Sequence, residues 1–358
     1  MPSPVDWGLA ERVALRFSGR EPFASSYHAT SLVPDFTELT GEAEELVAAE
    51  TGLRSLVGPA RARVVDRPDW IRANLASFER LLRPLLAKVE DQAAGRGGLP
   101  VAMASKVAAV QVGTLLGWMS GRVLGQYDLL VIDDETADNQ DLLYYVGPNL
   151  LSLEKRFGFS PREFRLWIAL HECTHRAQFT GVPWMREYFL GLVHEAVSMV
   201  DPDPNRLLDT LKGAFSTARN GRRAMEDGGL VHLLATPDQR AVLNKIGGLM
   251  SLLEGHGDVT MDRAAAGRVP SAERFSRVLR ERRRAGGGVA KLLQRLLGIE
   301  AKLAQYEAGE RFIAAIEAAA GRRAIERCWS RPDNLPTLDE IRAPEQWLAR
   351  VGLATAVA

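Results

Sequence analysis

The chain has 358 residues, of which 46% are hydrophobic and 25% charged, the profile of an ordinary globular protein with ample material for a core. Lys+Arg and Asp+Glu both number 45, so no chain-wide field favours nucleic acid or an acidic membrane surface, and neither is expected as a partner. The start, Met1 to Trp7, lacks a basic segment followed by an apolar run, and Cys173 and Cys328 make no disulfide framework, so a cytoplasmic protein without a signal peptide is expected.

In chain order, the first sixty residues mix Pro, Gly and short helical pieces such as 41–51, and read as an irregular N-terminal wrap. From Pro68 to about Gln92, Trp70, Ile71, Leu75, Phe78, Leu81, Leu82, Leu85 and Leu86 recur at helical spacing, which predicts a long amphipathic helix. The Gly-rich stretch 93–98 ends it and marks the best candidate boundary. A second long helix is expected from about Met103 to Leu124. The apolar stretch 101–119, interrupted by Lys106 and Gln111, reads as a buried helix and not as a membrane span. Gly113, Gly117 and Gly121, four apart, form a ridge that another helix can approach closely. The apolar runs 129–132 and 142–146 flank an acidic loop and predict a small strand pair.

Ser160-Pro161-Arg162-Glu163 combines an N-cap residue, proline at the first helical position and glutamate at N3, so a helix starts there. Thr236-Pro237-Asp238-Gln239 opens another, which runs through Leu249 and Leu253 to Glu254. Helices over 271–284 and 289–319 complete a predominantly helical C-terminal half, and Arg277, Arg280, Arg282, Arg283 and Arg284 read as a solvated helix end.

The helix that starts at Ser160 carries His171-Glu172-Cys173-Thr174-His175, the pattern His-Glu-x-x-His. At i and i+4, two imidazoles project from one face and can share a metal ion, while Glu172 is placed to work on water at that ion. Cys173, at i+2 from His171, faces away and reads as a small core residue. A zinc site that keeps a water position open needs a third protein ligand. A metzincin would place Gly and His three and six residues after His175, where this chain has Gln178 and Gly181, so the ligand must come from elsewhere. Glu254, at the end of an apolar run where burial without a partner is costly, is the first candidate. Asp258 shares its face if the helix continues, and is suited to accept the outer N–H of a zinc-bound histidine. His256 is the rival ligand, because glycines on both sides leave the local geometry open.

The Glu254-x-x-x-Asp258 spacing resembles the ligand arrangement of gluzincins, with a longer separation from the histidine motif than in thermolysin-like members. Longer segments carry a second resemblance: Val5-Asp6-Trp7, 65–70, 123–128, 171–184, 253–258 and 305–312 are similar to a bacterial, largely actinobacterial, zincin-like family. Its members are described as zinc-dependent metalloproteases or hydrolases associated with biosynthesis of the deazaflavin coenzyme F-420. The resemblance implies a mainly α, zincin-like metallopeptidase fold with a small sheet or strand pair before the active-site helix. With the Gly-rich stretch as the boundary, the chain is expected to comprise an N-terminal helical region over 1–95 and a zincin-like metallohydrolase core over 96–358, or one continuous domain.

The resemblance also implies Zn²⁺ held by His171, His175 and Glu254, with Glu172 as general base and Asp258 behind a ligand. Tyr306 is the first candidate to stabilise the oxyanion, because it lies in a matched segment; His256, His232 and Tyr188 are the others, and each alone reads more simply as a core hydrogen-bonding group. The expected substrate is a peptide or another amide. The alternative is a zinc-binding scaffold without turnover, in which a fourth protein ligand closes the site.

Overall fold

The computed structural model describes residues 4–21, 23, 25–93, 99–129, 141–199, 236–284 and 299–353, with the side chains of 84, 89–93, 99–102, 104, 282–284 and 299–307 outside that description. The fold is mainly helical, with one small three-stranded sheet among the described residues. The chain divides into two compact units, the first made of 1–181 and 260–280 and the second of 182–259 and 281–358.

The first unit begins with helices α1 (Trp7–Phe17), α2 (Tyr27–Thr30) and α3 (Leu32–Thr51), so the expected irregular wrap is instead helical. Leu32, Phe36, Leu39, Ala43 and Val47 line the buried face of α3, at the spacing of a core-facing helix. Pro34 and Gly41 within the same stretch obscured that pattern in the sequence. Strand β1 (Arg61–Val65) leads into α4 (Arg67–Ala93) and α5 (Leu99–Ser120). Gly113 and Gly117 perform the expected role of a close-approach ridge. A Cβ on Gly113 would lie 2.4 Å from the Ala10 carbonyl oxygen, and one on Gly117 2.5 Å from that of Ala14, so α1 lies directly on α5. Gly121 has no such neighbour. Helix α5, expected as a buried helix, buries Ala109 and Leu116 and leaves Met103, Val107 and Val110 exposed, so part of its surface is covered.

Strands β2 (Gly125–Tyr127) and β3 (Leu142–Val146) complete the sheet, whose order is β1-β3-β2. β1 runs parallel to β3, with Arg61 opposite Leu142, and β2 runs antiparallel, with Gly125 opposite Tyr145. The strand pair was expected over 129–132 and 142–146. The second strand is as expected and pairs with 125–127, while 130–132 of the expected first strand and the acidic loop before Asp141 fall outside the described residues. Central strand β3 is buried on both faces. Leu143 and Tyr145 enter a core with α3 and with the later helix Pro161–Thr180, while Leu142, Tyr144 and Val146 enter a second core with α1, α4 and α5. The Tyr145 ring stacks on Phe36 with centroids 3.9 Å apart, and its hydroxyl lies 2.9 Å from the Thr40 hydroxyl.

Helices α6 (Gly147–Phe157) and α7 (Pro161–Thr180) follow. α7 starts where its sequence predicts, but Ser160 makes no side-chain cap and Glu163 accepts from the backbone N–H of Ser271 instead. In the second unit, α8 (Met185–Ser198) is followed by α9 (Pro237–Ala264), whose start is a reciprocal capping pair: Thr236 N–H donates to the Gln239 side chain and Gln239 N–H to the Thr236 hydroxyl. The last turn of α9 belongs to the first unit, where Met261 and Ala264 join the core that also holds Phe275 of α10 (Ala272–Arg284). Arg277 and Arg280 of α10 are exposed, as a solvated face requires. The second unit ends with α11 (Ile299–Ala320), α12 (Glu326–Ser330), α13 (Leu338–Arg342) and α14 (Pro344–Arg350).

Candidate metal centre

Helix α7 is buried along most of its length, and two arginines hold it in place. Arg165 is bidentate to Glu154, at 2.8 and 2.9 Å, and also reaches Asp35. Arg176, the residue after the second motif histidine, pairs with both carboxylate oxygens of Asp141, with Glu44 and with the Gly58 carbonyl. Planar guanidinium forks suit such multiple pairing. These contacts tie α7 to α3, to α6 and to the residue that opens β3.

On this fixed helix, the i, i+4 spacing brings His171 and His175 together. Their Nε2 atoms are 3.2 Å apart, and their rings are nearly perpendicular at 88°. Two nitrogens bound tetrahedrally to one zinc ion at ~2.0–2.1 Å would stand ~3.3 Å apart, so this pair has the spacing of a metal-ligand pair. The other ring nitrogen of His175, Nδ1, lies 3.0 Å from Oε1 of the buried Gln178.

Glu172 is buried, and its carboxyl lies across the backbone of β2. A Cβ on Gly125 would stand 2.5 Å from Glu172 Oε1 and 2.6 Å from its Cγ, so this edge of the sheet accepts the carboxylate only where the strand has no side chain. Cys173 points the other way, into the core, with its sulfur 3.6 Å from the Thr40 carbonyl oxygen. Burial, then the Glu44 charge, push its thiol well above the usual range, which leaves it inert as a nucleophile.

Glu254 lies on α9, which continues unbroken through Gly255 and Gly257 to Ala264, so Glu254 and Asp258 share a face at i and i+4. The glycines serve packing: a Cβ on Gly255 would lie 2.4 Å from the Gly309 carbonyl carbon, and one on Gly309 2.0 Å from the Ser251 carbonyl oxygen, so α11 crosses α9 backbone to backbone. Among the described residues, His171, His175 and Glu254 form a group that could hold a metal ion, their donor atoms all within 4.8 Å of one another. His256, the rival ligand, is not in that group; its ring packs edge-on against Trp329 at 5.1 Å. Tyr306 falls on α11 with its side chain outside the described set, and His232 lies outside the described residues altogether. Tyr188 is half-buried on α8, its phenol pushed up by burial and then by the Asp333 and Glu195 charges.

Gln178, Gly125 and Arg176 were not singled out as functional by the sequence. Gln178 stands three residues after His175, a helical neighbour by spacing, and Gly125 lies in the segment 123–128.

A family model described as "Zincin-like metallopeptidase" matches residues 5–348. The chain belongs to this family. A crystal structure from Chloroflexus aurantiacus, described as "a putative hydrolase with a novel fold", is 32% identical with a TM-score of 0.68, covering 97% of this chain and 99% of that one. No curated protein matches the sequence. For a zincin-like metallopeptidase a metal cofactor, usually zinc, is implied, and two imidazole nitrogens with one carboxylate are a donor set that suits zinc.

Proposed function

We propose that this zincin-like protein is a zinc-dependent metallohydrolase that cleaves a peptide or another amide bond in the cytoplasm. The observation that carries the reading is the pairing of roles on one helix. The two histidine nitrogens converge with Glu254, while Glu172, beside the first histidine, rests in the notch left by Gly125 and takes no place in the ligand group. A carboxylate in that position is not needed to bind an ion, and it is needed to move a proton.

In this mechanism His171, His175 and Glu254 hold the ion. When bound, Zn²⁺ supplies Lewis acidity, polarising the scissile carbonyl and lowering the pKa of water toward ~7. Glu172 accepts a proton from the attacking water and returns it to the nitrogen of the breaking C–N bond, so the amine leaves neutral. Tyr306 donates its hydroxyl to the carbonyl oxygen as negative charge develops there. Asp258 accepts the outer N–H of a ligating histidine and orients its ring. We place this activity beside deazaflavin coenzyme biosynthesis, as the sequence resemblance implies, without assigning it a step.

Two measurements on the purified full-length protein test the proposal. Metal analysis should find one zinc per chain, lost on His171→Ala; no zinc in the wild type would end the reading. Against a peptide library, Glu172→Gln should keep the zinc and lose about 100-fold or more of the hydrolysis rate. Undiminished turnover in that variant would remove the general-base assignment.

A further inference from the structure

We infer that Gln178 is the positioning residue for the metal-ligating ring of His175, which it holds in the Nδ1–H tautomer so that the Nε2 lone pair faces the ion. The inference rests on the metal site proposed above. Gln178 is fully buried on α7, where an amide is costly unless its polar atoms are bonded, and its Oε1 lies 3.0 Å from His175 Nδ1. His175 Nε2 is turned toward His171 Nε2, 3.2 Å away, and toward the common donor group with Glu254. A nitrogen that ligates cannot carry a proton, so in the bound form the ring proton sits on Nδ1 and is donated to the Gln178 carbonyl oxygen. The partner is attached to the same helix three residues on, so ligand and support move as one rigid piece.

The choice of an amide has its own chemical consequence. A carboxylate at this place would add a further negative charge to those of Glu254, Glu172 and Asp258. The amide orients the ring and leaves the charge of the donor set at that of one glutamate. Gln178 therefore sets how tightly the site holds its ion, without touching either ion or substrate.

The test is Zn²⁺ affinity, measured on the full-length protein by competition with a chromophoric chelator. Gln178→Met, which keeps the length of the side chain and removes its polar atoms, should bind about 10- to 100-fold more weakly than wild type. Gln178→Glu should restore binding to at least the wild-type level, an outcome a merely space-filling role would not produce. Equal affinity in the folded Met variant and wild type overturns the inference and leaves the zinc site standing. Wild type that binds no zinc overturns both. Should the Met variant fail to fold, ¹⁵N ring shifts of the metal-free wild type decide: Nδ1–H at His175 supports the assignment, and Nε2–H sinks it.

Discussion

Helices α7 and α9 carry the residues of the candidate centre, and they are fixed in their surroundings by opposite means. α7 is held by charge: Arg165 and Arg176 are both only 2% exposed at the side chain and reach carboxylates on other elements. α9 is held by the absence of side chains: at Gly248 a Cβ would stand 2.2 Å from the Pro336 carbonyl oxygen, and at Gly255 it would meet the backbone of Gly309. Buried ion pairs fix direction, because each guanidinium fork accepts few geometries. Backbone-to-backbone glycine contacts fix distance, because nothing shorter than a missing Cβ is available. Each helix is thus fixed within its own surroundings, α7 chiefly in direction and α9 chiefly in distance.

The largest way to break this arrangement is to remove the charge from α7. Arg176→Leu leaves Asp141 and Glu44 without their cation, and should cost about 3 kcal/mol in a urea titration, the low end for a disrupted buried pair. The low end applies because the two carboxylates keep 18% and 23% side-chain exposure and so retain some water. A loss below about 1 kcal/mol would show that the network contributes no more than surface pairs do. The matching change for α9 is Gly309→Ala, whose Cβ would stand 2.0 Å from the Ser251 carbonyl oxygen, backbone that cannot swing aside. About 2 kcal/mol of destabilisation is expected, from overpacking alone. An unchanged urea midpoint in that variant would mean that α11 and α9 can separate freely, and would remove distance control from the comparison.

The same contrast explains what the sequence could disclose. The motif on α7 and the acidic end of the apolar run on α9 are local patterns, and both Glu254 and the histidines were legible from spacing and composition. Supports that arise only in three dimensions were not. Gly125 looks like any loop glycine until Glu172 lies over it, and Gln178 was noticed only as a departure from the metzincin pattern. Ser160 and Glu163 spell a capping box, yet Glu163 serves the backbone of Ser271, so a tertiary bond displaced the local one. β1 went unseen because its polar–apolar alternation, Arg61-Ala62-Arg63-Val64, is short and one of its two apolar members is alanine, and β2 because Gly-Gln-Tyr has no β pattern of its own. The family resemblance anticipated the mainly helical fold with its small sheet, which periodicity alone had only partly outlined.

The smallest expected effect sharpens the comparison by asking whether charge also matters on the α9 side. The stretch 336–338, against which Gly247 and Gly248 pack, leads into α13 through a capping box in which Thr337 and Glu340 bond reciprocally. Arg350 adds bonds at 2.5 and 2.9 Å to the two oxygens of Glu340. Burial alone would raise the Glu340 carboxyl, but the Arg350 bonds and the Thr337 N–H outweigh it and hold it below its ordinary value of 4.5. A depressed carboxylate is bound more tightly in its charged form. Its stabilising contribution is therefore complete above the unfolded-state value and is lost as pH falls from there through the lower folded value. Unfolding free energies measured from pH 6 down to pH 3 should show this extra loss in wild type and a shallower one in Arg350→Met, where the carboxyl loses its main support. Parallel pH profiles for the two proteins would mean that glycine contacts alone keep 336–338 against α9, with charge control confined to α7.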